Sequence, residues 1–267
     1  MSDAELDLAA QAVSNLVQEV GREILPLYGS STLDIRAKED NSPLTEADLL
    51  AHSLLAKDLV KIVDVPVLSE EDVVPFETRA PWTKFWLVDP IDGTKGFIRQ
   101  TGDFSINVAL VENGRAILGV IAVPVANAVY CARRGGGTFK NGNPVSNERT
   151  GGPTHVVMSR SQARPEVEEF LRSRGILQVD RFHSALKFGL LAEGLYDFSP
   201  RWGPTYEWDT AAGQIILEEA KCRLVHFHTG NPLEYNKADL VNPPFLAMRS
   251  NLDWADFQNS IKPLGHA

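Results

Sequence analysis

Cysteine is scarce in this chain: Cys131 and Cys222 are the only two in 267 residues, and neither sits in a Cys-x-x-Cys or Cys/His spacing. That excludes a disulfide framework and fits a reducing compartment in which both thiols are packing residues. Long apolar runs are missing too. No stretch approaches the roughly 18 to 20 apolar residues that a bilayer span needs. The opening Met1-Ser2-Asp3-Ala4-Glu5 has neither a basic region nor the start of an apolar signal segment. A soluble, cytoplasmic protein is expected, with loose attachment to the inner face of a membrane left open. Positive charge is in deficit, with 26 Lys and Arg against 35 Asp and Glu for a net charge of −9. A nucleic-acid polymer is therefore a poor partner, because such binders need a basic face to displace phosphate counterions. A small phosphate ester is still admissible, provided a cation stands between it and the protein's own carboxylates.

What is present is globular: 43% apolar and 23% charged residues, enough to bury one large core or two packed halves. Apolar residues at Leu6, Ala10, Val13, Val17, Val20, Ile24 and Leu27 predict a helix over 5–27, ending near Pro26 to Gly29. A second helix is expected from Thr45 to about Val63, entered through a turn at Asn41, Ser42 and Pro43, with Lys38 to Asn41 as a polar loop. Short apolar runs at Val65–Leu68, Phe85–Val88, Phe104–Glu112, Ala116–Val123 and Ala128–Ala132 read as strands, and Asn113-Gly114 marks a hairpin. After a Gly- and Asn-rich stretch at 135–152 the pattern turns to α/β, with a strand at Val156–Met158 and helices near Pro165–Arg174, Leu186–Glu193 and Glu207–Ala220. The expected organisation is an N-terminal α+β half, 1–150, and a C-terminal α/β half, 151–267.

The chemistry is concentrated in carboxylates. Asp89-Pro90-Ile91-Asp92-Gly93-Thr94 follows the strand pattern Lys84 to Val88, so two acids leave a sheet at a strand's C-terminal end, where α/β sheets place ligands. Pro90 holds Asp89 extended, and an inward Ile91 side chain leaves its carbonyl to join Asp89 and Asp92 as a hard oxygen donor suited to Mg²⁺. Gly93 permits close backbone approach, and a helix opening at Thr94 would turn N–H groups toward an anion. The same hexapeptide also reads as an ordinary turn. Ser69-Glu70-Glu71-Asp72 forms a second acidic exit from a strand, although such runs are commonly solvated loops. Asp209 in Trp208-Asp209-Thr210-Ala211-Ala212-Gly213 and Asp48 in Thr45-Glu46-Ala47-Asp48 each have a plain helix-capping reading.

Taken together and in this order, Pro43-Leu44-Thr45-Glu46-Ala47-Asp48, Ser69-Glu70-Glu71, Asp89 to Thr94 and Trp208 to Gly213 resemble the inositol monophosphatase superfamily across nearly the whole chain. The resemblance implies an α+β fold, a layered αβαβα sandwich of the inositol monophosphatase and fructose-1,6-bisphosphatase type. It implies a metal shell of Glu70, Asp89, the Ile91 carbonyl, Asp92 and Asp209 holding two or three Mg²⁺ ions, with Glu71 behind it. It further implies hydrolysis by activated water, with Thr94 and Asp48 handling the proton, and inhibition by lithium in a magnesium position. Glu70, Ile91, Asp92, Gly93, Thr94 and Asp209 would then also face the substrate phosphate.

Within the superfamily, Lys95, the run Ser184-Ala185-Leu186-Lys187, and Arg201-Trp202-Gly203-Pro204-Thr205 look like the CysQ-type bisphosphate nucleotidases. That branch implies a small phosphorylated nucleotide, 3′-phosphoadenosine 5′-phosphate, as substrate. Ser184 and Lys187 or Arg201 would contact it, since a second phosphate needs a cation away from the metals. An inositol or sugar phosphatase, and a non-catalytic magnesium and nucleotide sensor, stand as alternatives, and monomer and homodimer are equally admissible. Two departures matter. Gly96 replaces the acid more usual after Lys95, and Lys221-Cys222 replace two glycines that normally close the helix after Asp209. His226 and His228 could share a strand face but lack a third metal ligand nearby.

Overall fold

The structure, a computed structural model, describes residues 1–30, 34–37, 43–148, 154–160, 165–176, 178–253 and 255. The polar loop at Lys38 to Asn41, the turn through Ser42 and the end of the Gly- and Asn-rich stretch lie outside them. Helix α1 (Asp3–Ile24) starts on a capping box between Ser2 and Glu5 and stops short of the expected Leu27, because Pro26 has no N–H with which to continue the helical ladder. After the two-stranded ribbon of β1 (Ile35–Ala37) and β2 (Pro43–Thr45), helix α2 (Glu46–Ile62) is capped by Thr45.

Then come β3 (Val67–Ser69), the short α3 (Phe76–Arg79), β4 (Lys84–Asp92), the short α4 (Thr94–Ile98), β5 (Ser105–Glu112), β6 (Arg115–Val123), β7 (Ala128–Arg133), β8 (Gly137–Lys140) and β9 (Asn143–Pro144). These seven strands form one sheet in chain order, β3 parallel to β4 and the rest antiparallel. Asn113 and Gly114 both take positive φ, 50° and 75°, as a tight hairpin between β5 and β6 requires. The first part of the Gly- and Asn-rich stretch supplies β8 and β9, the last two strands of this sheet, turned at Asn141-Gly142 with β9 at the edge.

The remainder is β10 (Val156–Ser159), α5 (Pro165–Ser173), β11 (Val179–Phe182), α6 (Leu186–Ala192), β12 (Phe198–Arg201), α7 (Glu207–Glu219), β13 (Cys222–His226) and β14 (Phe245–Arg249). Its five strands pair in the order β11-β10-β12-β14-β13. His226 ends β13 while His228 lies in the following turn, where its N–H donates to His226 Nδ1, so the two do not share a strand face.

Side-chain alternation sets the layers. Trp86 and Val88 of β4 pack with α1 and α2, whereas Phe85 and Leu87 pack on the other face with α6 and α7. Leu224, Phe245 and Ala247 of the second sheet join that same central core, and Val225, Leu246 and Met248 face α5 instead. The result is five layers, αβαβα. The inner layer is tight: a Cβ on Gly119 of β6 would lie 2.6 Å from the Ala212 carbonyl oxygen of α7. Only a glycine lets α7 press onto the sheet and carry Asp209 to the end of β4.

Lys221, which follows α7 where glycine was expected, adopts φ 58°, the left-handed conformation of a helix-closing residue. A side-chain-bearing residue there costs about 1 kcal/mol. Lys221→Gly is accordingly expected to raise the melting temperature by about 2–4 °C in thermal unfolding, and no rise would show that the strain is relieved elsewhere.

Candidate active site

The acidic residues converge because four elements end at one place. β4 carries Asp89 opposite Asn107 and Asp92 opposite Ser105, three steps against two, so a bulge at Pro90-Ile91 interrupts the ladder. The bulge sends the Ile91 side chain into the α1/α2 core and leaves its carbonyl to accept from Thr94 Oγ1 at 3.2 Å. Gly93, with φ 87°, turns the chain into α4. β3 runs parallel to β4 and ends beside it, and the Glu70 N–H donates to the Val88 carbonyl, which seats Glu70 next to Asp89. Asp209 comes from the first turn of α7.

One carboxylate oxygen from each of Glu70, Asp89 and Asp209 lies within 4.8 Å of the others. Asp92 stands at the edge of this trio, with Oδ2 accepting from the Ala185 N–H at 2.6 Å and from Asn107 Nδ2 at 3.3 Å. Glu71 is half-buried, its N–H donating to Ser69 Oγ. Asp48 and Asp209 keep their capping roles while facing the site. Asp48 Oδ2 accepts from Thr45 N at 2.8 Å and Thr45 Oγ1 at 2.5 Å, and its Oδ1 accepts from Thr94 Oγ1 at 3.3 Å. Asp209 Oδ2 accepts from Tyr206 N at 2.8 Å. The capping and site readings, alternatives in the sequence, are compatible because a carboxylate has two oxygens.

So much negative charge in a buried place is costly. Burial first, then the charges of Glu70, Asp92, Asp209 and Asp48, push the Asp89 pKa well above the usual carboxylate range. Asp209 is pushed up to about 8, by burial and then by Asp92 and Glu70. Burial raises Asp92 as well, opposed by Lys187, the Ala185 N–H and Asn107. Asp89 Oδ1 is sealed from solvent and has no hydrogen-bond partner among the described residues. Converging hard oxygens with an unpartnered buried carboxylate oxygen among them fit a divalent cation, and the donor type fits Mg²⁺.

A pH dependence follows. An acid whose folded pKa lies above its unfolded one binds more protons folded than unfolded between the two values, so its stabilising effect is lost as pH rises through that window. For Asp209 the window runs from about 3.8 to about 8. The metal-free protein is expected to lose melting temperature as pH rises from 4 to 8, and added Mg²⁺ to restore more at pH 8 than at pH 5. Calorimetry in chelator and in magnesium checks both trends; a flat or rising metal-free profile would contradict the charge cluster.

Beside the carboxylates lies a pocket lined by Asp92 and Asp209 on one side and by Ser184, Lys187 and Arg201 on another. Ser184 Oγ accepts from the Leu186 N–H at 3.2 Å, starting α6. Lys187 is buried, its Nζ donating to the carbonyls of Phe182, at 3.4 Å, and Ser184. Burial lowers its pKa to about 8 against the pull of Asp92. Arg201 donates through Nη2 to the Pro204 carbonyl, while its Nε is buried and unpartnered among the described residues. The sequence reading missed Asn107, which steadies Asp92, and His52, whose Nδ1 lies 2.9 Å from Ser69 Oγ and ties α2 to the Glu70 turn. Asn107 had a signal, a polar residue between Ile106 and Val108 in a strand buried on both faces; His52 had one only in its place one turn after Asp48.

Comparison with known proteins agrees with this architecture. Residues 5–258 match the inositol monophosphatase family, and the chain belongs to it. Among curated relatives, the 3′(2′),5′-bisphosphate nucleotidase CysQ of Escherichia coli is 42% identical over 239 residues, covering 87% of this chain and 96% of that protein. The crystal structure of CysQ from Bacteroides thetaiotaomicron superposes with a TM-score of 0.77 at 34% identity, covering 91% of this chain and 97% of the other. An inositol monophosphatase/NADP phosphatase complexed with Mg²⁺ and phosphate shares the fold with a TM-score of 0.80 at 17% identity, covering 98% of this chain and 97% of that one.

Proposed function

We propose that this protein is a magnesium-dependent phosphomonoesterase that hydrolyses 3′-phosphoadenosine 5′-phosphate to AMP and phosphate. The observation that carries this reading is the pocket in which the carboxylates Asp92 and Asp209 share one space with the cations Lys187 and Arg201. A substrate with two phosphates needs both: one phosphate at the acidic, metal-binding end and the other near fixed positive charge. The identity to CysQ over most of the chain supports the same substrate.

Glu70, Asp89, Asp209, Asp92 and the Ile91 carbonyl would hold two or three Mg²⁺ ions, with Glu71 supporting Glu70. Bound there, magnesium would supply charge to offset carboxylate–phosphate repulsion, activate the attacking water and stabilise the leaving oxygen. The chain's own contribution is proton handling and orientation. Thr94 Oγ1, 3.3 Å from Asp48 Oδ1, takes a proton from water as it passes its own to Asp48. Asp48 in turn is held by Thr45, so the acceptor points at Thr94 without a search. Gly93 leaves the backbone open to the phosphate, while Ser184, Lys187 and Arg201 orient the nucleotide.

The test is phosphate release from 3′-phosphoadenosine 5′-phosphate, inositol 1-phosphate and fructose 1,6-bisphosphate, with and without magnesium. A magnesium-dependent preference for the nucleotide is expected. Preference for inositol or sugar would keep the metal chemistry and discard the nucleotide pocket, and no release from any would favour a binding protein.

A further inference from the structure

His183 stands at the junction of the phosphate turn and the substrate pocket without a role in the reaction as derived above. It lines the pocket with Ser184 and Lys187. Its Cβ lies 3.3 Å from where a Cβ on Gly93 would be, so the imidazole is rooted directly over the turn that follows Asp92. The backbone around it is fixed: the His183 N–H donates to Asp103 Oδ2 at 2.8 Å, and Asp103 is held in turn by Thr101 Oγ1 and by Arg160 at 3.6 Å.

The ring occupies room that another side chain could have taken. A Cβ on Gly96 would fall 3.2 Å from His183 Cδ2 and 3.0 Å from both Asp103 Oδ1 and Thr101 Oγ1. Gly96 and His183 therefore form a matched pair, in which the missing side chain on α4 admits the imidazole. One nitrogen of that imidazole is left unsatisfied: Nε2 is sealed from solvent and has no hydrogen-bond partner among the described residues. A buried ring nitrogen without a partner leaves hydrogen-bonding capacity of the imidazole unused. Each edge of an imidazole carries one nitrogen, so a half-turn about Cβ–Cγ leaves a nitrogen toward the pocket in either orientation. Burial lowers its pKa, with Asp103 opposing and Arg160, Lys187 and Arg99 adding to the effect, so the ring meets a ligand as a neutral donor or acceptor.

We infer that His183 is a specificity-determining residue that hydrogen-bonds a neutral polar group on the alcohol portion of the phosphate ester, beside the scissile phosphate. Gly96 is what admits it. This deepens the nucleotidase reading and rests on the same pocket.

The test compares wild type, His183→Ala, His183→Asn and Gly96→Ala, all with magnesium, on 3′-phosphoadenosine 5′-phosphate, inositol 1-phosphate and p-nitrophenyl phosphate. The last has an alcohol portion without a sugar hydroxyl. For His183→Ala, kcat/KM is expected to fall about tenfold on the nucleotide, mainly through KM, and less than twofold on p-nitrophenyl phosphate, the size expected of one lost hydrogen bond. His183→Asn should recover part of the loss, and Gly96→Ala, which crowds the ring, should reproduce it. Equal changes on the nucleotide and p-nitrophenyl phosphate, including none on either, would overturn the assignment. Failure of the nucleotidase reading looks different: the wild type itself then prefers inositol 1-phosphate, and the His183 variants separate that ester from p-nitrophenyl phosphate instead.

Discussion

Replacing Asp89 by asparagine is expected to lower turnover at least about 10³-fold while raising the melting temperature of the metal-free protein. Both effects come from the same atoms. Asp89 is buried, its Oδ1 has no partner among the described residues, and Glu70 and Asp209 bring their oxygens within 4.8 Å. Without a cation, that arrangement sets like charges against one another in a poorly solvated place, which is why burial and its neighbours raise its pKa so far. Asparagine keeps the shape and removes the charge, so the empty site loses repulsion and the protein gains stability. The charge lost is also the one a divalent cation needs, and several kcal/mol of transition-state stabilisation go with it. Magnesium titration calorimetry, turnover at saturating magnesium and calorimetric melting in chelator read the three effects. Turnover within tenfold of wild type, or a lower metal-free melting temperature, would refute the placement of Asp89 at the centre of the metal site.

For Asp48→Asn the expected loss is in kcat alone, about 10²- to 10⁴-fold, with KM nearly unchanged. Asparagine preserves one oxygen to accept from Thr45 N, so α2 keeps its cap and the melting temperature should move little. Toward Thr94 the change is a reversal. An amide turned that way donates where the carboxylate Oδ1 accepts, and the hydroxyl loses the group to which, in the proposed mechanism, it would pass a proton. KM is spared because Asp48 does not line the pocket shared by Lys187 and Arg201. A rise in KM with kcat retained would make Asp48 a binding residue, and unchanged kinetics would leave it a helix cap and nothing more.

The elements most legible in the sequence were those whose pattern is carried locally. α1 was visible through its apolar spacing, and β4 to β7 through apolar runs punctuated by turns such as Asn113-Gly114. β11, β12 and β14 were not read. Asp180, Arg181, Ser199, Pro200 and Arg249 interrupt their apolar pattern, and what makes them strands is pairing with partners far along the chain. β8 and β9 hid for a similar reason, since a Gly- and Asn-rich edge hairpin has the composition of a loop until β7 offers it a ladder.

In the site, the candidate residues and roughly where each leaves its element were legible locally: acids at the ends of β3 and β4, and at the third position of α2 and α7, where a cap alone would justify them. That these four ends coincide is a matter of the folded chain alone. The fold also decided that Lys187 is a buried cation in the adjoining pocket rather than a solvated lysine on a helix face, and that His183 occupies the space Gly96 leaves. The physical reason is range. Capping, periodicity and turn chemistry act over a few residues and are written locally. A carboxylate's pKa, a cation's burial and an imidazole's neighbours are set by elements such as α7 and β4, more than a hundred residues apart and brought into contact by packing.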